Sequence, residues 1–253
     1  MSSSAIADEN NAYVQTGIIS AHYSNPYFAF TNSLVALTIG KNINENLSVE
    51  VMGAGAINEA YGYWGNTYIT AKVSSAAGAY VKARTTPSNG NSLYAKAGMT
   101  RGTVTLSAYA PGYTASAWDI GATVNVAGFG LTGYYYDGKG AGTTLFGNLG
   151  AVNVGGTMKR RDSNGGYLQG TYTIPGVGTK IGLAYGVSKL DTASGEVNPT
   201  LLDKNERWTV GAYHPLTKHL NLVAEYNRIK SEGQSSAYEN ESDSLSAGAI
   251  LFF

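Results

Sequence analysis

Apolar and polar side chains alternate with a period of two along almost the whole chain. The stretch Ser242–Phe253 shows the pattern plainly. Odd positions carry Leu245, Ala247, Ala249, Leu251 and Phe253, and even positions carry Ser244, Ser246 and Gly248, with Ile250 and Phe252 taking over near the end. Successive side chains of a strand point to opposite faces, so one face here is apolar and the other is small and polar. A final aromatic residue on such a strand suits the closing strand of an outer-membrane barrel, where the ring sits at the lipid interface.

Twelve such segments follow one another from about Ala12 to Phe253, with no helical period between them. In the first, Gln15 inward places Val14, Thr16 and Ile18 outward. Val35, Leu37 and Ile39 share a face of the second. Leu47, Val49, Val51 and Ile57 oppose Ser48, Glu50, Met52 and Asn58 in the third. The fourth and fifth form a long hairpin around Pro87-Ser-Asn-Gly90. Ile69, Ala71, Val73, Ala77, Ala79, Val81 and Ala83 are its outward set on the first arm. On the second arm the apolar parity changes from Leu93, Ala95, Ala97 and Met99 to Val104, Leu106 and Ala108, which predicts a β-bulge at Arg101-Gly102. Later segments are cleaner. Ile120, Val124, Leu131, Leu183, Val210, Leu222 and Leu251 fall on the outward face, and Trp118, Tyr135, Tyr185, Trp208, Tyr226 and Phe253 share that parity near strand ends.

Connection lengths sort into two classes. Asn44–Asn46, Pro87–Asn91, Ala127–Gly128, Pro175–Gly178 and Pro215–His219 are short, whereas most of the intervening ones, such as Gly138–Gly165 and Asp191–Asn205, are longer and looser. Short periplasmic turns and long outer loops are the habit of a transmembrane barrel. The fold class expected is therefore all-β, a transmembrane antiparallel up-and-down β-barrel of about 12 strands. A soluble sandwich also alternates, but it seldom leaves so many aromatics at strand ends, where an amphipathic ring is favoured at a membrane interface.

Composition agrees with one large β domain. Charged residues make up 13% of the 253, with 33 Gly and 19 Tyr. A mean hydropathy of −0.13 is not that of an oily protein, because the two faces cancel along each strand. No run of eighteen apolar residues exists, so a membrane-spanning helix is excluded on length. Formal net charge is zero and basic residues are scattered, which argues against nucleic acid as a partner. The lack of cysteine excludes disulfides and thiolate metal sites. Met1–Ala7 ends in an Ala-Ile-Ala pattern read by signal peptidase, so residues 1–7 are expected to be a leader remnant or an appended start, with one barrel over 8–253.

The inward parity carries the charged residues Glu50, Lys72, Lys82, Arg84, Lys96, Asp119, Lys180, Arg207 and Glu225. Charges facing a dry interior are costly unless paired, whereas a wet lumen tolerates them. These residues are the expected pore lining, and the basic excess predicts mild anion preference. The expected partners are outer-membrane lipid and small polar solutes or ions, with no cofactor and no metal. Eight strands are filled by side chains and roughly sixteen leave a channel, so twelve predict a narrow conduit. Tyr80, Tyr94, Tyr134, Tyr136 and the Gly138–Gly165 loop are candidates to obstruct it. A barrel that conducts little and serves as an anchor or loop-display scaffold is the alternative.

Two resemblances overlie this pattern. Val126-Ala-Gly-Phe-Gly-Leu-Thr-Gly-Tyr-Tyr-Tyr-Asp-Gly138, Gly170-Thr-Tyr-Thr-Ile-Pro-Gly-Val-Gly-Thr-Lys180, Gly211-Ala-Tyr-His-Pro-Leu-Thr-Lys218 and the terminal Phe253 resemble the C-terminal half of Gram-negative general porins, over about 118–253. Asn42-Ile-Asn-Glu-Asn-Leu-Ser-Val-Glu-Val51 and Leu93-Tyr-Ala-Lys-Ala-Gly98 resemble a small OmpA-like barrel, over about 11–101. Together they imply an outer-membrane pore, and a mosaic of two barrel families, natural or engineered, with its junction near 101–118. General porins are trimers, so a homo-oligomer is admitted, although the first-half features that support a trimer are not recognisable. The connection Ala110–Ser116 is too short to be the constriction loop that general porins fold into the pore.

Other motifs are set aside. Gly128-Phe-Gly130-Leu-Thr-Gly133 matches a dinucleotide fingerprint by letter, but Tyr134-Tyr-Tyr136 continues a strand where a helix is required. Outer-membrane phospholipases are also barrels, with a Ser/His/Asn site. No Ser–His pair here falls on rungs that the expected register would join, and His22, His214 and His219 have no metal spacing. The expectation is no enzyme.

Overall fold

A computed structural model describes residues 4–7, 12–24, 29–58, 60–64, 67–86, 88–89, 91–106, 112–143 and 150–251. For residues 4–7, 19–24, 29–32, 60–64, 67–73, 105–106 and 251 the backbone alone is described. The strands in chain order are β1 (Ser4–Ala7), β2 (Ala12–Ser24), β3 (Ala29–Asn42), β4 (Leu47–Ala56), β5 (Ala60–Trp64), β6 (Thr67–Arg84), β7 (Ser92–Leu106), β8 (Tyr113–Val126), β9 (Phe129–Lys139), β10 (Ala151–Val154), β11 (Thr157–Arg160), β12 (Asp162–Thr173), β13 (Lys180–Leu190), β14 (Leu202–Pro215), β15 (Leu220–Gly233) and β16 (Glu239–Leu251).

Twelve of these are long, and each pairs antiparallel with the next long strand, in the order β2-β3-β4-β6-β7-β8-β9-β12-β13-β14-β15-β16. The short β1 pairs with β2, and the short β5 with β6. This is the expected up-and-down meander, and the twelve long strands coincide with the twelve alternating segments. Among the described residues β16 has one ladder partner, β15, and residues 239–250 are exposed on both faces. Phe253 lies outside the described residues.

Local chemistry sets the turns. At the β8–β9 hairpin Ala127 and Gly128 both have positive φ (50° and 86°), the two-residue geometry whose twist matches that of the strands it joins. Between β3 and β4, the Asn44 side-chain oxygen accepts from the amides of Asn46 (2.9 Å) and Leu47 (2.8 Å), a side-chain copy of a backbone turn. Both turns lie at one end of the sheet, the short-turn end.

The wall has two faces, and exposure alternates along much of it. From Trp118 to Val126 every second residue is exposed, and the intervening ones are half-buried. Val14, Ile18, Val35, Leu37, Ile39, Val49, Val51, Ile120, Val124, Leu131, Leu183, Val210 and Leu222 are all exposed large apolar side chains on the outward face. A water-soluble sheet would bury this parity. Here the sheltered parity is instead the polar one, with Ser48, Glu50, Thr100 and Asn227 buried.

The bulge is not where the sequence places it. β7 pairs with β8 without interruption through Arg101 and Gly102. The register shift lies on β6 instead, between Val73 and Ser75. Val104 therefore stays on the sheltered face, where it is 1% exposed and packs with Leu34, Ala76, Tyr113 and Ala115. An apolar residue is favoured there because something covers it. β10 and β11 form a hairpin within residues 140–161, and its Ala151 and Met158 pack against that cluster. The Gly-rich stretch Gly138–Gly165, expected to be a long loop and a candidate to obstruct the lumen, thus packs through this hairpin as a strap across the sheltered face, at the end opposite the short turns. The barrel wall resumes at Asp162, within the Gly138–Gly165 stretch expected to be loop. Lys139 and Asp162, the last and first residues of β9 and β12, share a rung and an ion pair of 3.3 Å.

Candidate functional site: the sheltered face and its strap

Glu50 on β4 is the hub of the sheltered face. Its side chain is 2% exposed and accepts from Lys82 Nζ on β6 and Lys96 Nζ on β7, each at 2.6 Å. Tyr13 on β2 donates its hydroxyl to the same carboxylate, and Lys82 also bonds the Tyr13 oxygen. Each ammonium lies over a ring, Lys82 over Tyr13 (4.4 Å) and Lys96 over Tyr80 (4.2 Å). One carboxylate thus bridges two ammonium groups, drawing β2, β4, β6 and β7 together.

Beside this cluster lies a cavity of about 390 Å³, reaching from Lys96 and Asp119 to the strap residues Ala141–Thr143. Tyr80, Tyr134 and Tyr136 form its walls, and Leu34, Ala54 and Ala76 an apolar side. Tyr80 bonds Thr100, and Tyr136 bonds Ser188 (2.7 Å). The alternation therefore brings Glu50, Lys82, Lys96 and Asp119 to one place, as expected of a shared inward parity.

The remaining expected residues lie elsewhere. Arg84 and Lys180 are exposed at the short-turn end, and Arg84 Nε bonds the Glu45 carbonyl (3.4 Å). Arg207 on β14 donates to Asn227 Oδ1 (3.0 and 2.6 Å) and Thr209 (3.2 Å). Glu225 accepts from Tyr213, forming a separate network on β14 and β15. Lys72 stands opposite Thr105, beyond the bulge from the rest of β6, and only its backbone is described. Among the expected strand-end aromatics, Trp118 pairs with Tyr135 (5.5 Å between centroids) and Tyr185 with Trp208 (4.6 Å). Tyr226 donates to Asp243 (2.5 Å). A further outward pair, Phe129–Tyr172 (4.4 Å), sits at the short-turn end. Phe129 was legible from its parity, whereas Tyr172 needed the β9–β12 register.

The strap is held by charge. Arg161, at its end, makes a two-point contact with Glu196 in the β13–β14 loop: Nε to Oε2 is 2.8 Å and Nη2 to Oε1 is 2.5 Å. The side chains are 5% and 4% exposed. Arg161 also donates to the Ala151 carbonyl (3.3 Å), and the Ala193 amide donates to Glu196 (3.0 Å). The Arg161 guanidinium holds the Glu196 carboxyl below the usual carboxylate range, against the opposing effect of burial. Lys159 to the Ser194 carbonyl (2.8 Å) and Arg160 to the Thr114 carbonyl (3.2 Å) tie the hairpin on either side. No periodicity marks Arg161 or Glu196, since both lie outside the alternating segments.

Among the described residues no group of His, Asp and Glu is placed to hold a metal. His214 Nδ1 lies 2.9 Å from Thr179 Oγ1 at the short-turn end. Among the described residues no carboxylate hydrogen-bonds that ring.

The sequence matches the Gram-negative porin family over residues 7–234. The chain belongs to this family. The porin's fold is similar to that of the outer-membrane channel DcaP of Acinetobacter baumannii, with a TM-score of 0.68 at 14% identity over 95% of this chain and 72% of that one. It aligns at lower TM-scores with the NanC porin (0.46, 9% identity, 96% and 99% coverage). The same holds for OmpT of Vibrio cholerae (0.46, 11% identity, 98% and 99%). No curated protein matches the sequence. The family places the porin in the bacterial outer membrane. The parity change that lies at the edge of the expected junction, 101–118, is accounted for by the β6 bulge and by the strap covering Val104.

Proposed function

We propose that the porin is a narrow passive pore for ions and small polar solutes, with no catalytic role. The observation that carries this reading is the inversion of the wall: large apolar side chains are exposed outward, while charged and hydroxyl side chains gather inside. In this reading Ile120, Val124, Leu131, Leu183, Val210 and Leu222 meet hydrocarbon, and Trp118, Tyr135, Tyr185, Trp208 and Tyr226 meet the headgroups. The experiment is a planar-bilayer recording of the purified protein in potassium chloride. Stepwise conductance is expected, and its absence from folded, inserted protein would favour an anchor or loop-display scaffold.

Lipid contact predicts an asymmetry between adjacent positions. Leu183→Arg should cost about 2–4 kcal/mol near the bilayer midplane, and Gly182→Arg, on the sheltered parity, less. Urea titration of vesicle-inserted protein measures both, and equal penalties would contradict the assignment of faces.

Selectivity in this reading comes from the short-turn mouth. Glu50 offsets Lys82 and Lys96, Asp119 lies beside them, and the basic excess falls on Arg84 and Lys180. The double substitution Arg84→Glu with Lys180→Glu is expected to move the reversal potential in a salt gradient toward cation preference, leaving stability within about 0.5 kcal/mol. An unmoved reversal potential would remove these residues from the permeation path.

A homo-oligomer is the proposed assembly. Its support is the run of small residues Gly53, Gly55, Ala77, Ala79, Ala83, Ala95 and Ala97 on the outward face of β4, β6 and β7, which lets a second wall approach closely between Val51, Val81 and Leu93. Cross-linking in detergent tests it, and Ala79→Trp should dissociate the assembly without unfolding the barrel.

A further inference from the structure

We infer that the cavity beneath the strap is a binding site for compact solutes carrying an ammonium group, centred on Asp119. The inference rests on the pore reading for access and deepens it by naming a solute class.

Asp119 shares rungs with Gly98 on β7 and Tyr136 on β9. Gly98 has no side chain, and the space is taken by Tyr80: a Cβ on Gly98 would stand 2.1 Å from that ring. Two residues along β8, Gly121 is covered in the same way by Tyr134, at 3.3 Å. Two glycines thus let two tyrosines lie down beside the carboxylate, while Tyr136 stands on the third side.

Among the described residues the Asp119 carboxylate makes no hydrogen bond or ion pair, and the Tyr134 hydroxyl makes none either. Lys96 does not answer Asp119 by direct contact, because its ammonium is held by Glu50 at 2.6 Å and lies over the Tyr80 ring. Asp119 therefore presents its charge to the cavity, with aromatic faces around it. A ring face and a carboxylate attract the same thing, an organic cation, and the face favours one that is weakly hydrated. The Lys96 ammonium over Tyr80 is the protein's own instance of that contact. The cavity, about 390 Å³, is of the size that encloses a small solute.

The probe is choline chloride, added to channels conducting potassium chloride. Choline is expected to reduce the current of the wild type with a saturable dose dependence. Asp119→Asn should weaken this block by about tenfold or more, the cost of losing the opposite charge beside a quaternary ammonium that has no N–H to donate. Tyr134→Leu should weaken it as well, and Tyr134→Phe should leave it intact. Glycine betaine is the second arm: a block stronger than choline's assigns the solute carboxylate to Lys96, and an equal or weaker one assigns recognition to the ammonium alone.

Conducting channels that choline does not block, or that it blocks equally in Asp119→Asn and Tyr134→Leu, would overturn the inference. Calorimetric titration of choline into the detergent-solubilised protein needs no conductance. Loss of conduction with Asp119-dependent binding retained would sink the pore reading and keep the site.

Discussion

Glu50→Ala is expected to lower the unfolding free energy by about 3–5 kcal/mol, the cost of leaving buried charge without its counter-charge. Glu50 is nearly inaccessible and is the shared partner of Lys82 and Lys96. Its removal strands two ammonium groups and the Tyr13 hydroxyl together. Urea-induced unfolding followed by tryptophan fluorescence in detergent micelles gives the value. Glu50→Gln should cost less, because an amide oxygen still accepts one of the bonds. Replacing Glu50, Lys82 and Lys96 together by Met should restore much of the loss, since a sheltered site tolerates apolar groups better than half a salt bridge. The pore reading adds a second readout: Glu50→Ala should raise anion preference. A loss below about 1 kcal/mol would mean that water already solvates the lysines.

Arg161→Ala acts on the strap rather than on the wall. It leaves Glu196 buried with the Ala193 amide and the Asn198 side chain as its remaining partners, a local cost of about 3–5 kcal/mol. The expected result is release of residues 140–161, read as protease cleavage within them and a higher, noisier conductance. The unfolding midpoint of the barrel should move little. Cleavage and conductance equal to the wild type would show that Lys159, Arg160 and the apolar contacts hold the strap unaided.

The same contact gives a pH dependence with a definite sign. Glu196 is depressed below its unfolded value by Arg161. Its contribution is therefore present above the unfolded carboxylate range, about pH 4.3, and is lost as pH falls through the lower folded value. Acid should loosen the strap and neutral pH hold it. Comparison with Glu196→Gln, loosened at every pH, separates this group from the other carboxylates.

How much of this was legible follows from one physical distinction. Period two is written wherever a wall separates two environments, so the twelve long strands could be read from sequence, and so could their outward residues except beyond the β6 bulge, where Val73 shares a rung with the sheltered Val104. The convergence of Glu50, Lys82 and Lys96 followed from shared parity. Where a third layer intervenes, parity stops meaning lipid against water. Val104 is apolar because Met158 and Ala151 cover it, and a reading that knew two environments turned that fact into a bulge. Arg161 and Glu196 lie in connections of no fixed period, and only the fold brings them together.

The rung that joins Lys139 to Asp162 bears on how such a molecule can be altered. Residues 140–161 depart from the wall and come back to it at one level, so their excision leaves every other pairing in place. An inserted segment of different size or chemistry meets the same two anchor points. The conduit's throat and its staves are thus separately heritable, and a lineage, or an engineer, can exchange the first while keeping the second.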